Sequence, residues 1–274
     1  MVIMEFRTVV DIPKPDFEIE PCEEMLFVGS CFADNIGARF KEEKFRAVVN
    51  PFGVMYNPAS ILHTIERLYT SHSSLPTPHS TKTAFLTLGT NHVYRLNETG
   101  EIVDNCQKRP QSLFTEEELT VNECADYLQK AIDILRQHNP EIHVVLTVSP
   151  IRYRKYGYHG SQLSKATLLL ATRQVAGASY FPAYEIVNDE LRDYRFYAED
   201  MLHPSSQAVD YIWERLSEVY FSEETKAFLK EWQPLKAALN HKPFNPDSEE
   251  YRTFIDKTML KIAELQKKYP NFAL

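Results

Sequence analysis

Glycine is scarce in this chain, with 8 in 274 residues, under half the usual share of about 7%. The glycines stand at positions 29, 37, 53, 89, 100, 157, 160 and 177, a spacing that builds neither a G-x-G-x-x-G dinucleotide fingerprint nor a G-x-x-x-x-G-K phosphate loop. Cysteine is also sparse. Cys22, Cys31, Cys106 and Cys124 contain no C-x-x-C pair, so zinc or dithiol redox spacing is missing, and reduced thiols in a cytoplasmic protein are expected. Positive charge is in deficit, 30 Lys and Arg against 38 Asp and Glu for a net charge of -8, which excludes general nucleic-acid binding. No apolar run approaches about 18 residues. The opening Met1 to Arg7 lacks a basic start followed by an apolar stretch, so neither a membrane span nor a secretory signal is expected.

What is present is ordinary for a globular chain, 43% apolar and 25% charged, and long enough to bury a core without disulfides or metals. Met25 to Val28 is a short apolar run stopped by Gly29. Ala33 to Lys44 then places Ile36 and Phe40 in helical rhythm, and Ala47 to Val49 is a second apolar run. The unit predicted is strand, helix, strand. Asn57-Pro58 has the cap and first-turn residues of a helix start, and Ser71 to Thr81 reads as a loop.

Ala84 to Leu88 predicts a third strand, Val93 to Val103 a hairpin about Glu98-Thr99-Gly100, and Leu119 to Gln137 a helix. His143 to Val148 is too apolar to face water on either side. Beyond it the pattern predicts helices over Ser164 to Ala176 and Ser205 to Tyr220, with Tyr180 to Pro182 as a last strand. This alternation specifies an α/β fold, a three-layer sandwich with a mostly parallel central sheet. Residues 1–221 are expected to form that domain, and residues 222–274, with helical patterns over Glu223 to Leu239 and Ser248 to Lys268, a helical C-terminal extension packed on it.

Ligands of open parallel sheets collect beyond the carboxyl ends of the strands, where Gly29, Gly53 and Gly89 stand. Gly29-Ser30-Cys31 opens a sharp strand-to-helix turn, a geometry that exposes a small nucleophile and aims helix-start amides at developing negative charge. Ser30 and Cys31 are both candidates, with a capping Ser and a buried Cys as the plainer alternative. Asp200 and His203, three residues apart before an amphipathic helix, suit an acid that orients a general base; a surface Asp with a capping His is the alternative. Arg152, after the strongest strand, can hold an anionic or hydroxyl group or make a structural salt bridge. His159 is placed in a loop, and Tyr194, Phe196 and Tyr197 are candidates for a sugar-site floor or for core.

Gly29-Ser30-Cys31-Phe32-Ala33 reproduces the motif of the GSCFA domain family, which resembles the SGNH hydrolase superfamily. Thr147 to Arg152, Leu163 to Ala166 and Tyr180 through His203-Pro204 are similar to that family too, so the resemblance spans roughly residues 25 to 220. It implies a flavodoxin-type sandwich, a nucleophile after the first strand and a D-x-x-H pair that Asp200 and His203 match. Aligning Gly29 with the G-D-S pattern puts Ser30 at the Asp and Cys31 at the nucleophile. The superfamily's oxyanion donors map onto Gly53 and, within Gly89-Thr90-Asn91, onto Asn91, with His92 where that pattern has Asp and with Asn105 as an alternative polar donor that would contact substrate. The function implied is an acyl ester hydrolase or O-acyltransferase acting on a small or carbohydrate O-acyl substrate through an acyl-enzyme. No metal or organic cofactor is called for. The rival is a non-catalytic ligand-binding or scaffold domain of the same fold.

Overall fold

The computed structural model describes residues 6–70 and 80–272. The first five residues of the N-terminal stretch, and residues 71–79 of the expected Ser71 to Thr81 loop, lie outside them. In chain order the elements are β1 (Glu24–Gly29), α1 (Cys31–Glu42), β2 (Arg46–Val49), α2 (Pro58–Leu68), β3 (Thr83–Leu88), β4 (His92–Leu96), β5 (Ile102–Val103), β6 (Phe114–Glu118), α3 (Val121–His138) and β7 (His143–Val148). There follow α4 (Gly157–Thr172), β8 (Ser179–Tyr180), α5 (Ala183–Glu185), α6 (Ser206–Tyr220), α7 (Glu223–Leu239) and α8 (Glu249–Lys268). α5 continues as a π-helical stretch over Ile186–Leu191.

Among the described residues, five strands form one parallel sheet in the order β2-β1-β3-β7-β8, the order of flavodoxin-like doubly wound folds. β1, β3 and β7 are buried almost end to end, whereas β2 is half exposed along the edge. Residue alternation sends the strands' side chains to two cores. Leu26, Val28, Leu86, Leu88, Leu146 and Val148 pack under α2, α3 and α4, while Met25, Phe27, Phe85 and Val145 pack under α1 and α6. The second core is aromatic around Phe40, whose ring lies 4.7 Å from Trp213 and 5.1 Å from Phe27. Truncating Phe40 to Ala is expected to cost about 3–5 kcal/mol.

β4, β5 and β6 form a small antiparallel sheet directly after the end of β3. β6 carries Thr115-Glu116-Glu117-Glu118, too charged to show an apolar strand pattern, and its place comes from backbone pairing with β4. α4 begins at Gly157, seven residues ahead of the expected Ser164. A 3₁₀ turn over Arg154–Tyr156 runs straight into it, and Gly157 takes φ 66° at the junction. His159 is accordingly an exposed helical residue and is not in a loop. α7 and α8 enclose a third core of Cys22, Phe228, Trp232 and Ile262. α7 also docks on the C-terminal end of α1, where Trp232 Nε1 donates to the Glu42 carbonyl and Lys236 Nζ lies 2.8 Å from Glu43 Oε1.

Candidate active site

The turn after β1 is tied from several directions. Gly29 has φ 146°, and an added Cβ would fall 2.1 Å from the Thr87 carbonyl oxygen, so no side chain fits there. Its amide donates to Asn50 Oδ1 at 2.9 Å, and Asn50 Nδ2 donates to Asp34 Oδ1 at 2.6 Å. Ser30 is fully buried. Its Oγ caps α1 by accepting from the Phe32 amide and lies 3.2 Å from Thr87 Oγ1. That is the capping role, and it takes Ser30 away from any ligand. Cys31, one residue on, is only partly buried and heads the helix. Its amide belongs to the first turn, where N–H groups have no partner within the helix.

Cys31 Sγ lies 3.6 Å from the Tyr56 hydroxyl. Partial burial, and then the neighbouring Cys31, push the Tyr56 phenol up to about 12, so it stays a neutral donor at physiological pH. Tyr153 packs edge to face on Tyr56, ring centroids 6.1 Å apart, and its own hydroxyl is buried against Gly89 without a hydrogen-bond partner. Below them Lys165 is fully buried and donates to the carbonyls of Gly89 at 2.6 Å and Ser149 at 2.7 Å. It thereby joins the chain ends that leave β3 and β7. Burial alone lowers its ammonium to about 7.

Asp200 and His203 are brought together by a turn. Asp200 Oδ1 accepts the amides of Leu202 and His203 at 2.9 and 3.0 Å, and Oδ2 lies 2.5 Å from His203 Nδ1. Those two backbone donors, with the imidazole after them, hold the carboxylate down at about 2. With Nδ1–H given to Asp200, His203 keeps Nε2 free as a base. The loop is exposed and fastened to the segment after β7, since the Arg152 amide donates to the Leu202 carbonyl and Arg152 Nη1 to that of Met201. The guanidinium stacks on Tyr158 at 4.3 Å and Tyr197 at 5.3 Å and makes no salt bridge among the described residues. β3 lies between β1 and β7, and both Cys31 and the Arg152 segment that fastens the His203 loop follow the carboxyl ends of their strands, on the same edge of the sheet. Among the described residues no hydrogen bond or ion pair joins Cys31 to the His203 loop.

The expected oxyanion donors are placed elsewhere. Gly53, at φ 94°, spends its amide on the Asn50 carbonyl in a turn. Asn91 is buried, with Nδ2 donating to the Leu119 carbonyl and its amide to Ser164 Oγ. Both are committed to holding loops, and Tyr56, which the sequence offers no pattern to find, stands beside Cys31 instead. His92 is also buried and stacks on Tyr156 at 3.6 Å. Asn105 and Gly53 do meet, but in a separate cavity of about 420 Å³. Arg152 lines another of about 280 Å³ with Tyr194, Tyr197 and Arg192. Tyr194 is exposed there and is no part of the core. Among the described residues there is no group of three or more His, Cys, Asp or Glu side chains able to hold a metal ion, and no helix long and apolar enough to cross a membrane.

Three solved structures are similar in outline. One is a family 3 carbohydrate esterase from Clostridium thermocellum (13% identity, 72% of this chain and 95% of that one, TM-score 0.40). Another is a member of the lipolytic G-D-S-L family from Veillonella parvula (15%, 72% and 97%, 0.43). The third is a catalytic mutant of an acetylxylan esterase from Geobacillus stearothermophilus (12%, 75% and 98%, 0.43). At these identities and scores the likeness transfers no activity. No curated protein matches the chain. The sequence profile of the GSCFA family matches residues 24–79 and 77–216, and that of the C-terminal domain of GSCFA domain proteins matches residues 232–274. With its motif at the turn after β1 and both profiles matched, the chain belongs to the GSCFA family.

Proposed function

We propose that this protein is an SGNH-like acyl ester hydrolase or O-acyltransferase that works through a thioester on Cys31, with a small or carbohydrate O-acyl substrate. Residues 1–221 are assigned the chemistry and 222–274 the supporting appendage. The observation that carries the reading is the division of labour at the turn after β1. Ser30 is consumed as the buried cap, while Cys31 presents its sulfur at the sheet edge, beside a neutral hydroxyl donor and on the same edge as an Asp-oriented imidazole.

In this mechanism the Cys31 thiol gives its proton to His203 Nε2 as sulfur attacks the acyl carbonyl carbon. Asp200 holds the tautomer and balances the imidazolium. The oxyanion accepts from the Cys31 amide and the Tyr56 hydroxyl. On collapse the alcohol leaves with the proton from His203. Water, or an acceptor hydroxyl in a transferase, then attacks the thioester, His203 takes its proton, and the thiol is regenerated. His203 and Cys31 are not hydrogen-bonded, so the gap between them has to be closed by movement of the exposed His203 loop on substrate binding.

The same gap favours the second reading, a ligand-binding domain that has kept the fold without turnover. Mass spectrometry after brief mixing with p-nitrophenyl acetate separates the two. A single acetyl group on the peptide holding Cys31, absent in Cys31→Ala and His203→Ala, is the expected result. An unmodified, folded wild-type protein would leave the binding-domain reading in its place.

A further inference from the structure

The cavity that gathers Gly53 and Asn105 has a chemistry of its own. It is lined on one side by Phe52 to Met55 and on the other by the end of the β5 strand and the loop after it, and Arg67 and Arg109 both face it. In a chain of net charge -8, these two guanidiniums have no carboxylate partner among the described residues. Each is instead laid on an aromatic ring, Arg67 on Phe52 at 4.1 Å and Arg109 on Phe114 at 4.8 Å. A stacked guanidinium keeps its in-plane N–H edge for a planar or tetrahedral oxyanion. Asp104, the carboxylate among the described lining residues, is drawn off to His63 Nδ1 at 2.7 Å, a contact that raises the imidazole's pKa and favours a positive charge beside the carboxylate. Asn105 turns its Oδ1 back to the Gln107 amide at 2.7 Å, which leaves its Nδ2 as a further donor.

The wall between this cavity and the thiol is the stretch Gly53 to Tyr56. Its near end is pinned by the Met55 amide to the Gly29 carbonyl, and its Tyr56 hydroxyl faces Cys31. We propose that this cavity is an anion subsite that takes the carboxylate or phosphate of the substrate, through Arg67 and Arg109, while the acyl group lies at Cys31. The substrate class is therefore an ester that also carries a carboxylate or phosphate. The orientation rests on the acyl-transfer reading; the anion site does not.

Two measurements separate the failures. Titration calorimetry of the full chain at low ionic strength with inorganic phosphate and, separately, glutarate is expected to show saturable binding of at least one, weakened tenfold or more in both Arg67→Ala and Arg109→Ala. Which probe binds distinguishes a phosphate from a carboxylate ligand. Both side chains are exposed, so the variants should fold, and Arg67→Lys, which keeps the charge without the planar fork, is expected to recover part of the affinity. No binding of either anion, or binding unchanged in both variants, overturns the proposal. The second measurement is the ratio of kcat/KM for 4-acetoxybenzoate to that for phenyl acetate. It is expected to exceed one and to fall tenfold or more in either variant; a ratio unaltered by both removes the subsite from catalysis. Anion binding without acylation by either ester would support the site and defeat the acyl-transfer chemistry.

Discussion

The two halves of the candidate site are built to different standards of rigidity. The turn carrying Cys31 is buried and cross-tied to two other parts of the chain, β3 through Thr87 and the segment after β2 through Asn50 and Met55. The Asp200 to His203 loop is open to solvent and holds itself, by an Asp that accepts from its own following residues, with Arg152 as its fastening to the sheet. In the proposed mechanism the position of the nucleophile is determined by the fold and that of the base by a loop, which leaves the loop as the adjustable partner for closure on a substrate.

The sharpest test of this contrast is at its reactive ends. Cys31→Ala is expected to abolish the acetyl adduct seen by mass spectrometry, and His203→Ala to slow acylation by about 10²- to 10⁴-fold with unchanged folding by circular dichroism. The supports should separate next. Asn50→Ala removes acceptor and donor from a buried turn and is expected to lower unfolding free energy by about 1–3 kcal/mol in a urea titration. Arg152→Met, by contrast, should leave the urea midpoint nearly in place and reduce kcat several-fold, because it loosens only the loop. Equal stability losses in the two would erase the contrast.

Smaller effects lie in the pH dependence of stability. Lys165 falls from 10.5 to about 7 when buried, so between those values the unfolded chain binds more protons and stability rises with pH across the window. Glu23, beside Thr83 under the sheet, is raised by burial from 4.5 to about 7. There the folded chain binds more protons, and stability falls as pH climbs from about 4.5 to 7. Lys165→Met should flatten the alkaline rise and Glu23→Gln the acidic fall, as read from urea midpoints at stepped pH. Asp200, lowered from 3.8 to about 2, contributes its order to the loop above about pH 4 and loses it only as pH falls toward 2. The loop should therefore stay indifferent to both substitutions.

Much of the sheet was legible because its strands are short apolar runs ended by glycine or Pro-containing turns, as at Gly29, Gly89 and Ser149-Pro150, and because the start of α2 carries a cap, Asn57. β6 was illegible because its residues are acidic and its strand form depends on pairing with β4. The early start of α4 was hidden by Gly157 and Gly160, which read locally as loop. Local pattern also explains why Cys31, Asp200 and His203 could be nominated, since each sits in a short contiguous motif. Tyr56, Tyr153 and Lys165 could not be. Nothing in their own neighbourhoods announces that they converge near Gly89 from a loop after β2, a loop after β7 and the middle of α4.

The sequence by itself determined the alternation of strand and helix, the family motif and the Asp200–His203 turn, all set by interactions within a few residues. Only the tertiary structure decided that Ser30 is a buried cap and Cys31 the accessible group, and that Gly53 and Asn91 spend their donors on loops. It also placed two ring-stacked arginines, Arg67 and Arg109, on one cavity. The reason is physical: which polar atom is left free depends on which others have been satisfied, and in a parallel sheet those partners come from strands and crossovers far apart in the chain.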